Sequence, residues 1–301
     1  METGLLNVTV FGATGVVGRA LVPLLAEHEL TAVSRTARDE PGARCVVADV
    51  ASGDGVAAAL EGADVVYYLV HSLGARDFEE QDRAAAETVA REAANAGVRQ
   101  IVYLGGLGAD DPGASPHLRS RRETGERLAS AGVPVTTMRA AMIVGKGSAA
   151  FETILALVKR LPVMVTPSWV STPTQPIALD DVARYLAGVC GNEAAYGEGY
   201  DTGGPEVMTY RQMIERIAAL LGRKPAIVEV PVLTPYLSSL WLNLVTPVSA
   251  SVARPLVEGL RNPTIAREER IRKLLPLELT PFDEAARRAL ARASAGTSPA
   301  Q

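Results

Sequence analysis

The 301-residue sequence predicts an α/β protein on a doubly wound parallel sheet with a smaller C-terminal substrate part, and three observations carry that prediction. Apolar runs such as Val8–Phe11, DVVYYLV (Asp64–Val70) and RQIVYLG (Arg99–Gly105) recur along the first half. Stretches with helical apolar spacing separate them, and continuous rather than alternating apolar strands belong to a parallel sheet covered on both faces. A glycine-rich turn, Gly12–Gly18, then joins the first run to a helix. Hydrophobic residues make up 48% of the chain and charged residues 21%, an ordinary balance for a globular protein able to bury a large core in one or two domains.

The first strand, VTVF, runs into Gly12, Ala13, Thr14, Gly15, Val16, Val17 and Gly18, in which the glycines are spaced G-x-x-G-x-x-G. A strand, such a turn and a helix N-terminus make a dinucleotide phosphate site, the Rossmann arrangement, because the backbone can approach a pyrophosphate and offer it free N–H groups. Gly12 permits the turn, Gly15 omits the Cβ that would block the phosphate, and Gly18 brings the helix close to the strand. Pro23 should bend that first helix.

Leu30–Ser34 is the second strand, and its end reads Ser34-Arg35 where an NAD-specific site carries an acid for the ribose 2′-OH. A hydroxyl beside a guanidinium suits a 2′-phosphate, so the expected cofactor is NADP(H). Arg35 also reads as a solvated loop charge, and Asp39 and Glu40 stand too far along for the ribose. Ala43–Val50 is a third strand whose Asp49 and Val50 would flank the adenine, although Asp49 equally suits a cap for the helix Gly55–Leu60. Leu69, Val70 and His71 close the fourth strand at the edge where open α/β sheets bind ligands, and Gly105 closes the fifth. His71 and Ser72 would line the nicotinamide ribose or meet substrate, unless His71 is a capped structural residue. Tyr67, Tyr68 and Tyr103 lie inside apolar strands and read as core. Helices follow at Phe78–Ala96, Leu118–Ser130 and Ala178–Cys190, with a sixth strand at Val135–Ile143.

A net charge of −4 provides no basic footprint for nucleic acid. Two cysteines, Cys45 and Cys190, form neither a metal-ligand spacing nor a disulfide framework, and no signal-peptide pattern precedes the first strand, so the expected location is cytoplasmic with no metal.

Together GATGVVG, the Ser34-Arg35 pair, YYLVHSLG, IVYLGGLG, HLRSRRETGERLASAGVPVTTMRAAMIVG and TQPIALDDVARYL resemble the atypical short-chain dehydrogenase/reductase superfamily, and more closely its NmrA-like, NAD(P)H-binding branch, over roughly residues 5–220. That resemblance implies a catalytic Tyr-x-x-x-Lys at the start of the helix after the fifth strand and a Ser or Thr at that strand's end. Here the strand ends in Gly105-Gly106, and His117 and Arg121 occupy the tyrosine and lysine places. His117 could exchange a proton near neutral pH, whereas Arg121 stays charged and could bind ribose or orient a substrate. His117 also reads as a loop residue after Ser115-Pro116, and Arg121 as part of a solvated face with Arg119 and Arg122.

Residues 1–145 therefore read as the dinucleotide-binding domain, its sheet completed by 175–205, and residues 146–174 and 206–301 as the substrate or lid part. An amphipathic helix is expected at Phe151–Leu161, and a second helix at Tyr210–Leu221. Pro162–Pro176, with Trp169, suits a pocket wall or simple packing of the small part on the sheet. Pro231–Leu260 is strongly apolar but has no uninterrupted run of about 18 apolar residues for a transmembrane segment. It suits an ordinary packed helix, a homo-oligomer face, a hydrophobic lid or a membrane-surface contact. Two functions lead, with an isomerase or lyase using bound cofactor as a third, smaller alternative: an NADP(H)-dependent oxidoreductase acting on a small hydrophobic carbonyl, enone or quinone-like substrate, and a non-catalytic NADP(H)-binding sensor that regulates a partner. The missing Tyr-x-x-x-Lys separates them, and the apolar C-terminal part favours the first.

Overall fold

A computed structural model describes residues 4–37, 42–72, 77–230, 260 and 262–295. Asp39, Glu40 and nearly all of the apolar Pro231–Leu260 stretch lie outside the described residues. Strands β1 (Asn7–Phe11), β2 (Glu29–Ser34), β3 (Arg44–Val47), β4 (Val65–Tyr68), β5 (Gln100–Gly106) and β6 (Val135–Ala140) belong to one sheet. Its seventh strand comes much later in the chain, at Gly199–Thr202. Every neighbour pair is parallel, and the order from one edge is β3-β2-β1-β4-β5-β6 followed by that late strand. Strand order therefore reverses between β1 and β4, the point at which a doubly wound sheet opens a crevice at its C-terminal edge.

Side chains alternate faces along each strand, and the two faces bury separate cores. Val8, Val10, Val65, Tyr67, Val102 and Leu104 face one core, which α1 (Val16–Leu21) helps to cover. Phe11, Val66, Tyr68, Ile101 and Tyr103 face the other, under α2 (Val56–Leu60) and α3 (Phe78–Asn95). The three strand tyrosines are buried, as expected, and Tyr67 donates to Leu186 O at 2.8 Å. The helix α4 (Pro116–Leu128) starts two residues before its expected position because Ser115 caps it, accepting from Leu118 N at 3.3 Å, and Pro116 takes the first turn.

Three expectations need correction. The first helix does not bend at Pro23: it stops at Leu21 and tightens into a 3₁₀ turn, Val22–Leu25, in which proline occupies an early position that needs no N–H donor. The sixth strand ends at Ala140 instead of Ile143, and Ile143–Val144 forms a separate strand, β7. Asp49 caps no helix: its carboxylate accepts from Ala51 N at 2.9 Å in a turn, and Gly55 caps α2.

Past β7 the chain builds a second core on α5 (Ala149–Arg160), with Phe151, Ile154, Leu155 and Val158 buried. Strands β8 (Val163–Pro167), β9 (Pro173–Thr174) and β10 (Ile177–Ala178) come next, then α6 (Leu179–Gly188), β11 (Gly199–Thr202), β12 (Met208–Thr209), α7 (Tyr210–Leu220) and β13 (Ala226–Val230). The chain then forms α8 (Arg270–Leu274) and α9 (Phe282–Ala295). β8 pairs with β13, β9 with β12, and β10 with β7, while α6 covers the first face of the main sheet. No helix among the described residues is long and apolar enough to cross a membrane, and among them no group of three or more His, Cys, Asp or Glu gathers as for a metal.

Candidate functional site

The three glycines of the first turn do different things. Gly12 adopts φ +88°, where L side chains are strained, and a Cβ there would press on Leu69 O at 3.0 Å. Gly18 has no room at all, because a Cβ would meet Gly12 O at 2.2 Å, so α1 can lie against the turn only with glycine. Gly15 is different: it caps α1 at an ordinary φ of −71°, and its Cβ would meet only Gly12 O, at 3.1 Å. The space in front of Gly15 is thus open, and a ligand that needs close backbone contact fits there. Ala13 is buried in the core and could offer only backbone, while Thr14 O is taken by Arg19 Nε at 2.7 Å.

One cleft of about 440 Å³ joins this turn to the ends of β4, β5 and β6 and to the smaller part. Gly12, Gly15, Val16, Val17, Gly18, Leu69 and Gly105 line it, together with His71, His117 and Arg121. Across from them stand Met142, Ile143, Tyr210, Leu260 and Thr264. The remaining expected cofactor residues lie elsewhere: Ser34 and Arg35 at the end of β2, Asp49 and Val50 just past β3, and Val70 half-buried beside the sheet-face core under α2 and α3. The Ser34 hydroxyl already donates to Thr36 O at 2.5 Å, which leaves the exposed Arg35 as the donor at that strand end.

His117 and Arg121 are one turn apart on α4 and so share a face. The Arg121 guanidinium lies over the Tyr103 ring at 5.2 Å and donates to Leu104 O, while the Tyr103 hydroxyl donates back to Arg121 O at 2.8 Å. It is not part of a solvated basic face, unlike Arg122, which pairs with Glu126 at 3.4 Å along exposed helix. Gly106 ends β5 beneath α4: a Cβ there would meet the Leu118 side-chain tip, Cδ2, at 2.7 Å.

Both cleft histidines are held neutral. His117 is pushed down to about 3, first by desolvation and then by the positive Arg121 and by His71. His71 is pushed down to about 4 by desolvation and Arg121, although its ring still reaches solvent, so that desolvation is that of a walled cleft and not of a core. At neutral pH both imidazoles are neutral and can offer an N–H to a ligand in the cleft. Pro162–Pro176 does not line the cleft; Trp169 packs edge-on against Tyr210 with centroids 6.0 Å apart and joins the second core. Tyr210 instead reaches the cleft, its hydroxyl pushed up to about 12 by burial against the pull of Thr174 and Thr264. The sequence signal for it was the Thr209-x-x-Gln212 capping box, which starts α7 at Tyr210.

Residues 12–151 match a family described as NAD(P)H-binding. This stretch is similar to NAD(P)H-binding domains. That agrees with the atypical short-chain dehydrogenase/reductase type read from the motifs. The chain is 26% identical over 240 residues to the Arabidopsis thaliana protein named NADH dehydrogenase (ubiquinone) 1 alpha subcomplex subunit 9, mitochondrial, covering 74% of this chain but only 60% of that one. It is 28% identical over 222 residues to the (4-alkanoyl-5-oxo-2,5-dihydrofuran-3-yl)methyl phosphate reductase of Streptomyces griseus, covering 72% of this chain and 74% of the relative. Among solved structures, the triphenylmethane reductase of Citrobacter sp. complexed with NADP(H) superposes with a TM-score of 0.75 at 18% identity, covering 94% of this chain and 99% of that one. At that identity the likeness shows the fold.

Proposed function

We propose that this protein is an NADP(H)-dependent reductase of small hydrophobic carbonyl, enone or quinone-like substrates. The observation that carries the reading is the single cleft that runs from the open glycine turn to His71, His117 and Arg121 and ends on an apolar wall. NADPH, when bound, supplies a hydride from C4 of its nicotinamide. Gly12, Gly15 and the start of α1 would hold its pyrophosphate, and Leu69 and Gly105 would floor the nicotinamide end. Arg35, exposed at the end of β2 and without an ion pair to any described residue, would meet the 2′-phosphate.

The proton inventory narrows the substrate. A hydride delivered to an isolated ketone leaves a strongly basic alkoxide that needs an acid at hand; the one phenol among the described residues of this cleft, Tyr210, is buried against Thr174 and Thr264 across from His71 and His117, where neutral imidazoles and a guanidinium stand. A hydride delivered to a quinone or enone leaves a delocalised anion, which the positive Arg121 and the N–H groups of His117 and His71 can stabilise until water protonates it. Conjugated acceptors therefore fit this cleft better than simple ketones.

The second reading is a non-catalytic NADP(H)-binding protein that serves an assembly. Two observations favour it: His and Arg stand in place of Tyr-x-x-x-Lys, and one relative is named as a dehydrogenase subunit. Oxidation of NADPH followed at 340 nm with quinone, enal and ketone panels separates the two. Saturable oxidation that favours conjugated acceptors supports the reductase. Tight NADPH binding with no oxidation, coupled to association with another protein, supports the sensor.

A further inference from the structure

The buried face of α3 is a stripe of small apolar residues, Ala85, Ala86, Val89, Ala90 and Ala93, that begins with a carboxylate, Asp82, only 5% exposed. A buried carboxylate costs several kcal/mol of desolvation, on the order of the whole benefit of packing an apolar side chain there, unless it does something an apolar residue cannot. Asp82 accepts the backbone N–H of Ser72 at 2.7 Å. Ser72 directly follows His71. Burial raises the Asp82 carboxyl, while the Ser72 hydrogen bond and the positive Arg121 draw it back toward the ionised form.

The helix that bears Asp82 is itself tied to the helix that bears His117 and Arg121. Arg83 grips Glu123 with two hydrogen bonds, at 2.6 and 3.1 Å, and Arg127 reaches Glu87 at 2.8 Å and Glu123 at 3.3 Å. Each of these pairs is half-exposed and contributes at most about 1 kcal/mol, but together they fix the register of α3 against α4. The Asp82 carboxylate ties that rigid pair to the His71 segment through Ser72, whose N–H it accepts and whose hydroxyl it also meets. Asp82 does not line the cleft.

We propose that Asp82 is a positioning residue: by holding Ser72 N–H it sets His71 at a fixed place beside His117 and Arg121 in the cleft. Its importance for turnover rests on the reductase reading, so the test uses readouts that need no turnover. The chain has three histidines, His28, His71 and His117, and nitrogen-15 NMR resolves them once each is assigned from a His→Gln variant. In Asp82→Ala the His71 proton affinity should rise at least about tenfold as its segment loosens toward water, and the Ser72 amide should exchange at least about tenfold faster. His117 and the NADPH dissociation constant should stay within about threefold of wild type. Direction is decisive, because loss of a negative charge alone makes a nearby imidazole harder to protonate. Asp82→Asn keeps an oxygen acceptor and should restore both readouts. Should Asp82→Ala fail to fold, Ser72→Pro removes the donor while leaving the carboxylate and must give the same rise at His71. A folded variant of either kind with His71 unchanged, or harder to protonate, overturns the proposal. A wild-type protein that binds NADPH yet reduces nothing would count against the reductase reading and leave these NMR outcomes unaffected.

Discussion

At the scale of single side chains, the proposed cofactor choice and chemistry rest on Arg35 and the two cleft histidines. If Arg35 meets a 2′-phosphate, NADPH should bind at least about tenfold tighter than NADH, about 1.4 kcal/mol, and Arg35→Ala should remove that margin while leaving NADH affinity unchanged. Equal affinities in the wild type, measured by titration, would refute it. His117 acts in this account as a neutral donor, so His117→Ala should lower turnover by about a hundredfold with NADPH affinity intact. For the same reason the turnover number should stay flat from about pH 5.5 to 8, and an acid limb or bell centred near 6.5 would mean that an imidazolium delivers the proton after all. Stability follows with a definite sign. Folded His71 and His117 titrate near 4 and 3, below the ordinary 6.5, so the unfolded chain binds more protons between those values. Their contribution is fully present above about 6.5 and is lost as pH falls toward 4 and 3. The double variant His71→Gln, His117→Gln should therefore lose less melting temperature than wild type between pH 7 and pH 4.5, and an identical loss would contradict the assigned environments.

Elements carry a second kind of prediction, since the glycines of one turn should fail differently. Gly15→Val fills the open space before α1 and should abolish dinucleotide binding while the protein still folds; Gly18→Val collides with Gly12 O and should lose the fold itself. Circular dichroism with NADPH titration separates them, and a folded Gly15→Val protein that binds normally would put the phosphate elsewhere. Most of the sheet and the geometry of the glycine turn were legible in the sequence because buried parallel strands are apolar throughout and the glycine spacing is tied to one turn geometry. The short pieces were not. β7, β9, β10 and β12 have two residues each, too few for any periodicity, and exist only because the second core packs around them. His117 and Arg121 could be found from their place on α4, but their neutral and engaged states could not, because those depend on Leu104 O, the Tyr103 ring and each other, contacts that only folding brings together. Asp82 had left a trace, an acid on the apolar stripe of a helix, and its partner Ser72 had not.

Across the whole molecule, two buried carboxylates join the later chain to the sheet. Asp181 on α6, fully buried, accepts from Thr280 N at 2.6 Å and Thr280 Oγ1 at 3.0 Å and pairs with Arg184, which brings the segment before α9 against the main sheet's cover. Asp201 on β11 accepts from Arg139 at 2.7 Å and from Arg267 N at 2.8 Å. Asp181→Ala would strand the Thr280 N–H and should destabilise by about 1–3 kcal/mol in a denaturant melt, whereas an unchanged midpoint would show that Thr280 finds other partners. That joint matters for function because the cleft is built from both parts: the glycine turn and α4 on one side, Tyr210, Thr264 and Leu260 on the other. The central claim, that this cleft passes a hydride from NADPH to a conjugated acceptor, is tested most directly by NADPH oxidation at 340 nm across matched quinone, enone and ketone panels, with His117→Ala alongside. Saturable oxidation that prefers quinones and enones to ketones, and that falls by about a hundredfold in the variant, is the expected result. No oxidation by a protein that binds NADPH, or turnover indifferent to His117, would contradict it.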